Sequence, residues 1–170
     1  MKTLVIYYSL SGNTQKVAEA IANTFKADIN RLKDRRSRTG LFGILRTMYQ
    51  VLFSRPGKIR FAHTDPYEYD LLILGAPVWI MKLAPPMRSY ILKEKDRFNK
   101  VAFFCTEGSS GASRAFKTME SLCAKKPVAT LEVTAADIQS GQYQEKTHTF
   151  AETCKQTMMS WVANPSNLPR

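Results

Sequence analysis

The sequence predicts one α/β domain in which a parallel sheet lies between two layers of helices. The chain has 170 residues, of which 44% are apolar, and this length suits a single domain. Short apolar runs alternate along it with segments whose apolar residues recur at helical spacing. Because this alternation continues through five apolar runs, it indicates parallel strands joined by right-handed helical crossovers.

The strand predictions depend on runs that are apolar on both faces. The first run, residues 3–8, is rich in β-branched and aromatic side chains, as is typical of a central strand in a parallel sheet. The predicted strands, in chain order, are residues 3–8, 28–32, 71–76, 101–106 and 128–133. The second of them has the weakest pattern, because it contains more polar residues than the others.

Helices are predicted between and after these strands. Val17, Ala18 and Ile21 lie at helical spacing after the first strand, and Pro85 and Pro86 suit the first turn of the next helix. The predicted helices are residues 14–25, 85–92, 112–123 and 143–162.

The cysteines and the N-terminal residues argue against an exported protein. Cys105, Cys123 and Cys154 are far apart, which favours reduced thiols in a core over a disulfide framework. The apolar run near the N-terminus is short and is followed by polar residues without a cleavage-like site. We therefore expect a cytoplasmic protein without a metal site, since His63 and His148 are also isolated.

Candidate functional residues lie in three loops, because ligands of such sheets bind outside the carboxyl ends of the strands. The loop after the first strand, residues 9–14, combines alternating hydroxyls with a glycine and a helix start, which suits a phosphate. It is neither a Walker loop nor a G-x-G-x-x-G loop, and Lys16 is its nearest expected cation. The alternative is an ordinary helix cap by Ser11 or Asn13.

The second and third loops follow the third and fourth strands. Trp79 lies between prolines, where it suits stacking on a flat ring; the alternative is that it packs beneath its own loop. The third loop, residues 106–111, contains two glycines and two serines that let the backbone approach a ligand, although a plain flexible turn has the same composition.

Together these loops resemble the flavodoxin family. Residues 7–14 resemble its phosphate loop, in which alternating Ser or Thr is followed by Gly-Asn-Thr. Residues 69–79, with Ala-Pro-Pro at 84–86, are similar to its second flavin loop, and residues 103–111 are similar to its third. The resemblance implies a three-layer α/β/α sandwich with a five-stranded parallel sheet in the order 2-1-3-4-5, and it implies bound FMN.

The resemblance also implies which residues contact FMN. Those of the phosphate loop are Ser9, Leu10, Ser11, Gly12, Asn13 and Thr14. Those along the isoalloxazine ring are Ala76, Pro77, Val78, Trp79 and Ile80, and those near its pyrimidine end are Thr106, Glu107, Gly108 and Gly111. Glu107 would accept a hydrogen bond from the flavin N3–H, and the backbone of residues 76–79 would contact N5. No side chain is assigned a catalytic acid or base role.

The predicted function is therefore an FMN-binding flavoprotein that carries or transfers electrons. Flavodoxin carriers are typically acidic and often have a stacking tyrosine in the third loop, whereas this chain is basic and lacks that tyrosine. An NAD(P)H-dependent FMN quinone reductase and a cofactor-free interaction module stay open as alternatives. The expected partner is a redox protein or a small apolar electron acceptor.

An insert at residues 34–61, within the single predicted domain of 1–170, is outside the resemblance. Between Arg31 and Arg60 there are nine basic residues and only Asp34 as an acid, a net charge of +8 out of +11 for the chain. On a helical wheel of residues 41–53 the apolar arc is about twice the roughly 100° of an ordinary surface helix. The alternatives are packing on the sheet, a homodimer interface or substrate lid through 41–53, and contact with an anionic membrane; nucleic acid is disfavoured because aromatic and basic residues do not interleave.

Overall fold

A computed structural model describes residues 1–34, 47–53, 55–57, 59–60 and 64–163. The strands are β1 (Thr3–Tyr7), β2 (Asp28–Arg31), β3 (Lys33–Asp34), β4 (Ile59–Arg60), β5 (Leu71–Trp79), β6 (Lys82–Leu83), β7 (Lys100–Glu107) and β8 (Thr130–Thr134). The helices are α1 (Asn13–Phe25), α2 (47–52), α3 (Pro85–Glu94), α4 (Ala112–Cys123), α5 (Ala135–Ser140) and α6 (Tyr143–Ala163), with single 3₁₀ turns at Pro66–Glu68 and Lys95–Arg97.

The main sheet has the strand order β2-β1-β5-β7-β8, and every pair along it is parallel. Counted over the five predicted strands, this is the order 2-1-3-4-5, so the predicted topology is confirmed. Parallel pairing brings the carboxyl ends of β1, β5 and β7 to one edge of the sheet, which is where the three candidate loops begin.

Helices cover both faces of the sheet, because successive residues of each strand point to opposite sides. Val5 packs in the core formed with α1 and α6, whereas its neighbour Ile6 packs in the core formed with α3 and α4. The runs that are apolar on both faces are therefore explained by two cores, one on each side of the sheet. Cys105, Cys123 and Cys154 are buried in these cores as free thiols, as expected.

Two local features differ from the sequence predictions. The strand predicted at residues 71–76 continues to Trp79 and forms an antiparallel hairpin with β6, where a loop was expected. The extension forms because Val78 pairs with Leu83 across the hairpin and Leu83 is buried in the core. The short helix α5, which was not predicted, begins with a capping box in which Thr134 and Asp137 bond reciprocally.

The Asp137 carboxylate accepts three hydrogen bonds at one oxygen atom. Its Oδ2 atom accepts hydrogen bonds from the Thr134 N–H at 2.7 Å, the Thr134 hydroxyl at 2.8 Å and the Lys146 ammonium at 2.7 Å. The bond from Lys146, together with those from Thr134, lowers the pKa of Asp137 to about 2. The carboxylate therefore joins α5 and α6 to the end of β8.

The insert is joined at its base by a short antiparallel ribbon. Lys33 pairs with Arg60 and Asp34 pairs with Ile59, so the two ends of the insert leave the domain side by side. Of residues 41–53, which the helical wheel represents, 47–52 are helical, and 41–46 lie outside the described residues. Among the described helices, none has both the length and the apolar composition that crossing a membrane requires.

Candidate functional site

The first loop leaves the N-terminus of α1 open. Gly12 is the residue that caps this helix, with a left-handed φ of 96°, and no described side chain caps it by a hydrogen bond. The hydroxyl of Ser9 instead accepts a hydrogen bond from the Gly12 N–H at 3.1 Å. The alternative of a cap by Ser11 or Asn13 is therefore wrong; both residues are exposed beside first-turn N–H groups that have no acceptor within the helix.

A cation that the sequence analysis missed lies against this loop. Tyr7 pairs with Arg31 in the parallel register of β1 and β2, so Arg31 reaches the same edge of the sheet. Its guanidinium donates to the Ser9 carbonyl at 2.9 Å and to the Gln15 side-chain oxygen at 3.1 Å. The first loop therefore has a fixed positive charge in addition to its hydroxyls and amides, which favours an anionic ligand.

A buried hydroxyl pair joins the first loop to the third. Thr14 and Thr106 are both buried, and their hydroxyl oxygens are 2.7 Å apart. Each hydroxyl has one proton, and the bond between them uses only one of the two. The pair therefore fixes the two loops relative to each other while it keeps one proton to donate.

The second loop is a tight hairpin whose tip is strained. The two tip residues, Ile80 and Met81, have φ angles of 50° and 57°, as in a type I′ turn. Asn-Gly is preferred there, and a left-handed backbone costs about 1–2 kcal/mol for a residue with a β-carbon. Both side chains are exposed, so the strain is not offset by burial of their apolar surface.

Trp79 is half-buried at the base of this tip. Its ring meets the ring of Tyr8 edge to face, with the ring centroids 5.7 Å apart and the planes at 85°. The Tyr8 hydroxyl donates to Asp34 Oδ2 at 2.7 Å, which connects the aromatic pair to the base of the insert. Trp79 thus packs against Tyr8, as the second alternative expected, and it is only half-buried; its stacking on a flat ring stays a prediction.

The third loop packs against the hairpin at Gly111. This glycine has a φ of 118°, and a β-carbon there would lie 2.7 Å from Val78 Cγ1 and 2.9 Å from Met81 Cα. Only glycine fits such a contact without displacing the hairpin backbone. With the Thr14–Thr106 pair and the Tyr8–Trp79 contact, it brings all three predicted loops together at one edge of the sheet.

Glu107, at the end of β7, is a buried carboxylate in which one oxygen accepts a hydrogen bond and the other accepts none from the described residues. Its Oε2 atom accepts a hydrogen bond from the Ala112 N–H at 2.7 Å, at the start of α4. Its Oε1 atom is buried and receives no hydrogen bond from a donor in the described part of the chain. Burial, with the Glu132 carboxyl as a neighbour, raises the pKa of Glu107.

The other predicted contact residues differ in what they can offer. Leu10 and Gly108 are exposed, and Pro77 is half-buried and pairs with Thr106 in the register of β5 and β7. Ala76 is completely buried, so it can offer a ligand only its backbone. The edge therefore presents mainly hydroxyls, backbone groups and one aromatic ring.

Comparison with known proteins identifies this architecture by structure. No family model and no curated protein sequence matches the chain. A flavoprotein from Lactobacillus acidophilus, solved in complex with FMN, is 23% identical, with a TM-score of 0.66 over 84% of this chain and 97% of that one. A putative flavoprotein from Bacteroides uniformis is 19% identical, with a TM-score of 0.69 over 89% and 97%.

Flavodoxin 2 from Bacillus cereus is 18% identical, with a TM-score of 0.60 over 92% of this chain and 99% of that one. The chain has the flavodoxin-like fold. The predicted fold class is therefore confirmed, with nearly the whole length of each compared protein matched. Within the flavodoxin-like fold, the three loops described above lie at the carboxyl edge of the sheet.

Proposed function

We propose that this protein binds FMN at the carboxyl edge of its sheet and transfers electrons through it. The observation that carries the proposal is the open N-terminus of α1, where the exposed Ser11 hydroxyl, free N–H groups and the Arg31 guanidinium converge. Their chemistry suits the phosphate of FMN, and the flavoprotein from Lactobacillus acidophilus was solved with FMN.

The residues present fit such a group at each of the three loops. Ser9, Ser11, Asn13 and Thr14 would hold the phosphate, with Arg31 contributing charge. The exposed part of Trp79 would lie along the flat ring system.

Glu107 supplies the clearest test of fit. A buried oxygen without a donor costs free energy, so Oε1 is suited to accept a hydrogen bond from a ligand N–H. The flavin N3–H is such a donor.

When bound, FMN supplies the redox chemistry, and the protein supplies binding, orientation and electrostatics. The loops fix the site through the Thr14–Thr106 bond and the Gly111 contact, so little reorganisation is needed on binding. The exposed apolar tip residues Ile80 and Met81 favour an apolar electron acceptor.

The proposal is tested by FMN and riboflavin binding to the purified protein, measured by equilibrium dialysis. The variant Ser11→Asp places a carboxylate where the phosphate is expected, and we expect the Kd for FMN to rise about 100-fold through charge repulsion. Riboflavin has no phosphate, so its Kd is expected to stay the same. The matched control, Ser121→Asp, adds the same charge at an exposed position near the C-terminal end of α4, whereas the third loop lies at the N-terminal end of that helix.

A colourless protein that takes up no added FMN would overturn the proposal and support a cofactor-free interaction module. An equal effect of Ser11→Asp on FMN and riboflavin would place the phosphate elsewhere. Consumption of NADH or NADPH with a quinone acceptor then separates the two redox roles: turnover supports a reductase, and its absence in a flavin-loaded protein supports a carrier.

A further inference from the structure

Helix α2 turns its apolar side towards solvent, the reverse of an ordinary surface helix. Its one buried apolar residue is Val51, which is 2% exposed. Four large apolar residues of α2 and of the turn after it are each between 52 and 60% exposed: Met48, Tyr49, Leu52 and Phe53. At about 100° per residue they span an arc of roughly 140°, where charged or polar residues are normally found.

The hairpin tip of the candidate site extends this apolar surface. The Lys82 ammonium, next to the tip, donates a hydrogen bond to the Leu52 carbonyl at 2.8 Å, so the tip and the end of α2 are neighbours. Ile80 and Met81 at the tip are 59% and 51% exposed. We call the combined surface the apolar rim; it consists of Met48, Tyr49, Leu52, Phe53, Ile80 and Met81.

The apolar rim is a fixed part of the domain. The rings of Tyr49 and Phe53 are in contact, with their centroids 4.9 Å apart. The chain after α2 is bonded back to α3, where the Ser89 hydroxyl donates to the Gly57 carbonyl at 2.6 Å. The side chains are thus exposed because of how α2 is anchored at Val51 and Gly57, and water is an unfavourable environment for all of them.

Positive charge near the rim favours an anionic bilayer over a second copy of the chain as the partner that covers it. Lys82 and Arg55 are basic residues beside the rim, and the sequence from 31 to 60 has a net charge of +8, so a second copy would bring charge of the same sign to the contact. An anionic bilayer satisfies both properties at once, because its interior takes up apolar side chains and its headgroups attract lysine and arginine.

We propose that the apolar rim docks this protein on an anionic lipid bilayer. Docking would place the carboxyl edge of the sheet at the bilayer surface, so an acceptor reaching it from the lipid would be apolar. The proposal does not depend on FMN, since the rim residues at 48–53 are outside the predicted FMN contacts; Ile80 is the one rim residue that is also a predicted FMN contact.

The test is co-sedimentation of the purified full chain with vesicles of phosphatidylcholine, with and without about one-third phosphatidylglycerol. We expect sedimentation with the anionic vesicles, a loss of binding at high salt, and little binding to neutral vesicles. The variant Leu52→Gln with Phe53→Gln is expected to weaken partition about 30-fold, because two apolar side chains no longer enter the lipid.

The matched control is Leu92→Gln with Met159→Gln, which changes two exposed apolar residues on α3 and α6 without changing charge. It is expected to bind vesicles as the unaltered protein does. Circular dichroism checks that both double variants are folded, and FMN uptake is measured separately, so a failure of docking and a failure of cofactor binding are distinguishable.

Three results would overturn the proposal. The first is no binding of the unaltered protein to anionic vesicles at low salt. The second is equal binding by the Leu52→Gln, Phe53→Gln variant. The third is concentration-dependent dimerisation in light scattering that the same variant abolishes, since the rim would then be covered by a second copy.

Discussion

Gly111 offers the sharpest test of how the three loops form one site. The substitution Gly111→Ala puts a β-carbon on a residue with a φ of 118° and within 2.9 Å of Met81 Cα, a backbone atom that cannot rotate away. A left-handed backbone costs about 1–2 kcal/mol and overpacking about 1–3 kcal/mol, so the free energy of unfolding is expected to fall by about 2–5 kcal/mol. For a domain of this size that lowers the Tm by roughly 5–15 °C.

The measurement is urea unfolding followed by circular dichroism, with Gly108→Ala as the control. Gly108 is in the same loop, but no described atom lies within 4 Å of the β-carbon it would gain and its φ is not left-handed. We expect Gly108→Ala to change the free energy of unfolding by less than about 0.5 kcal/mol. If both variants unfold at the same urea concentration, the contact between the third loop and the hairpin does not stabilise the domain, and the description of one assembled site is wrong.

Two further predictions concern stability. Ile80→Asn with Met81→Gly gives the hairpin tip the residues that a type I′ turn prefers. We therefore expect the free energy of unfolding to rise by about 1–2 kcal/mol. An unchanged or lower free energy of unfolding would contradict the strain assigned to the tip. Because the pKa of Asp137 is lowered from 3.8 to about 2, its contribution is complete above pH 4 and is lost as the pH falls towards 2. Asp137→Asn is therefore expected to cost about 1–2 kcal/mol at pH 7, with the difference from the unaltered protein shrinking between pH 4 and 2; a constant difference would show that Lys146 does not bond the charged form.

The sequence predicted the sheet well because its central strands are buried on both faces. Val5 and Ile6 enter opposite cores, so the run containing them has no polar face, and this pattern distinguishes it from an amphipathic helix or a half-exposed strand. Residue type and spacing also predict an anion site at the hydroxyl-rich loop after β1, and that site stays a prediction.

Contacts that depend on strand register were not predictable in the same way. Arg31 reaches the Ser9 carbonyl only because the parallel register of β1 and β2 pairs it with Tyr7. The signal that could have indicated this contact was the strand order implied by the resemblance, which brings the end of β2 beside the first loop. Tyr8 and Trp79 meet through the extension of β5, which ends at Trp79. The turn after it consists of Ile80 and Met81, two residue types that rarely adopt left-handed conformations. No local pattern indicates such a turn, so its position depends on the tertiary contacts around it.

The two tryptophans of the chain lie at opposite ends of the sheet. Trp79 is the last residue of β5, whereas the ring of Trp161 lies beneath the ammonium of Lys100, at the beginning of β7. Their intrinsic fluorescence therefore comes from two separate environments: emission from Trp79 responds to quenchers that reach the loops, and emission from Trp161 responds to the other pole. One small domain thus has an intrinsic reporter near each end of its sheet.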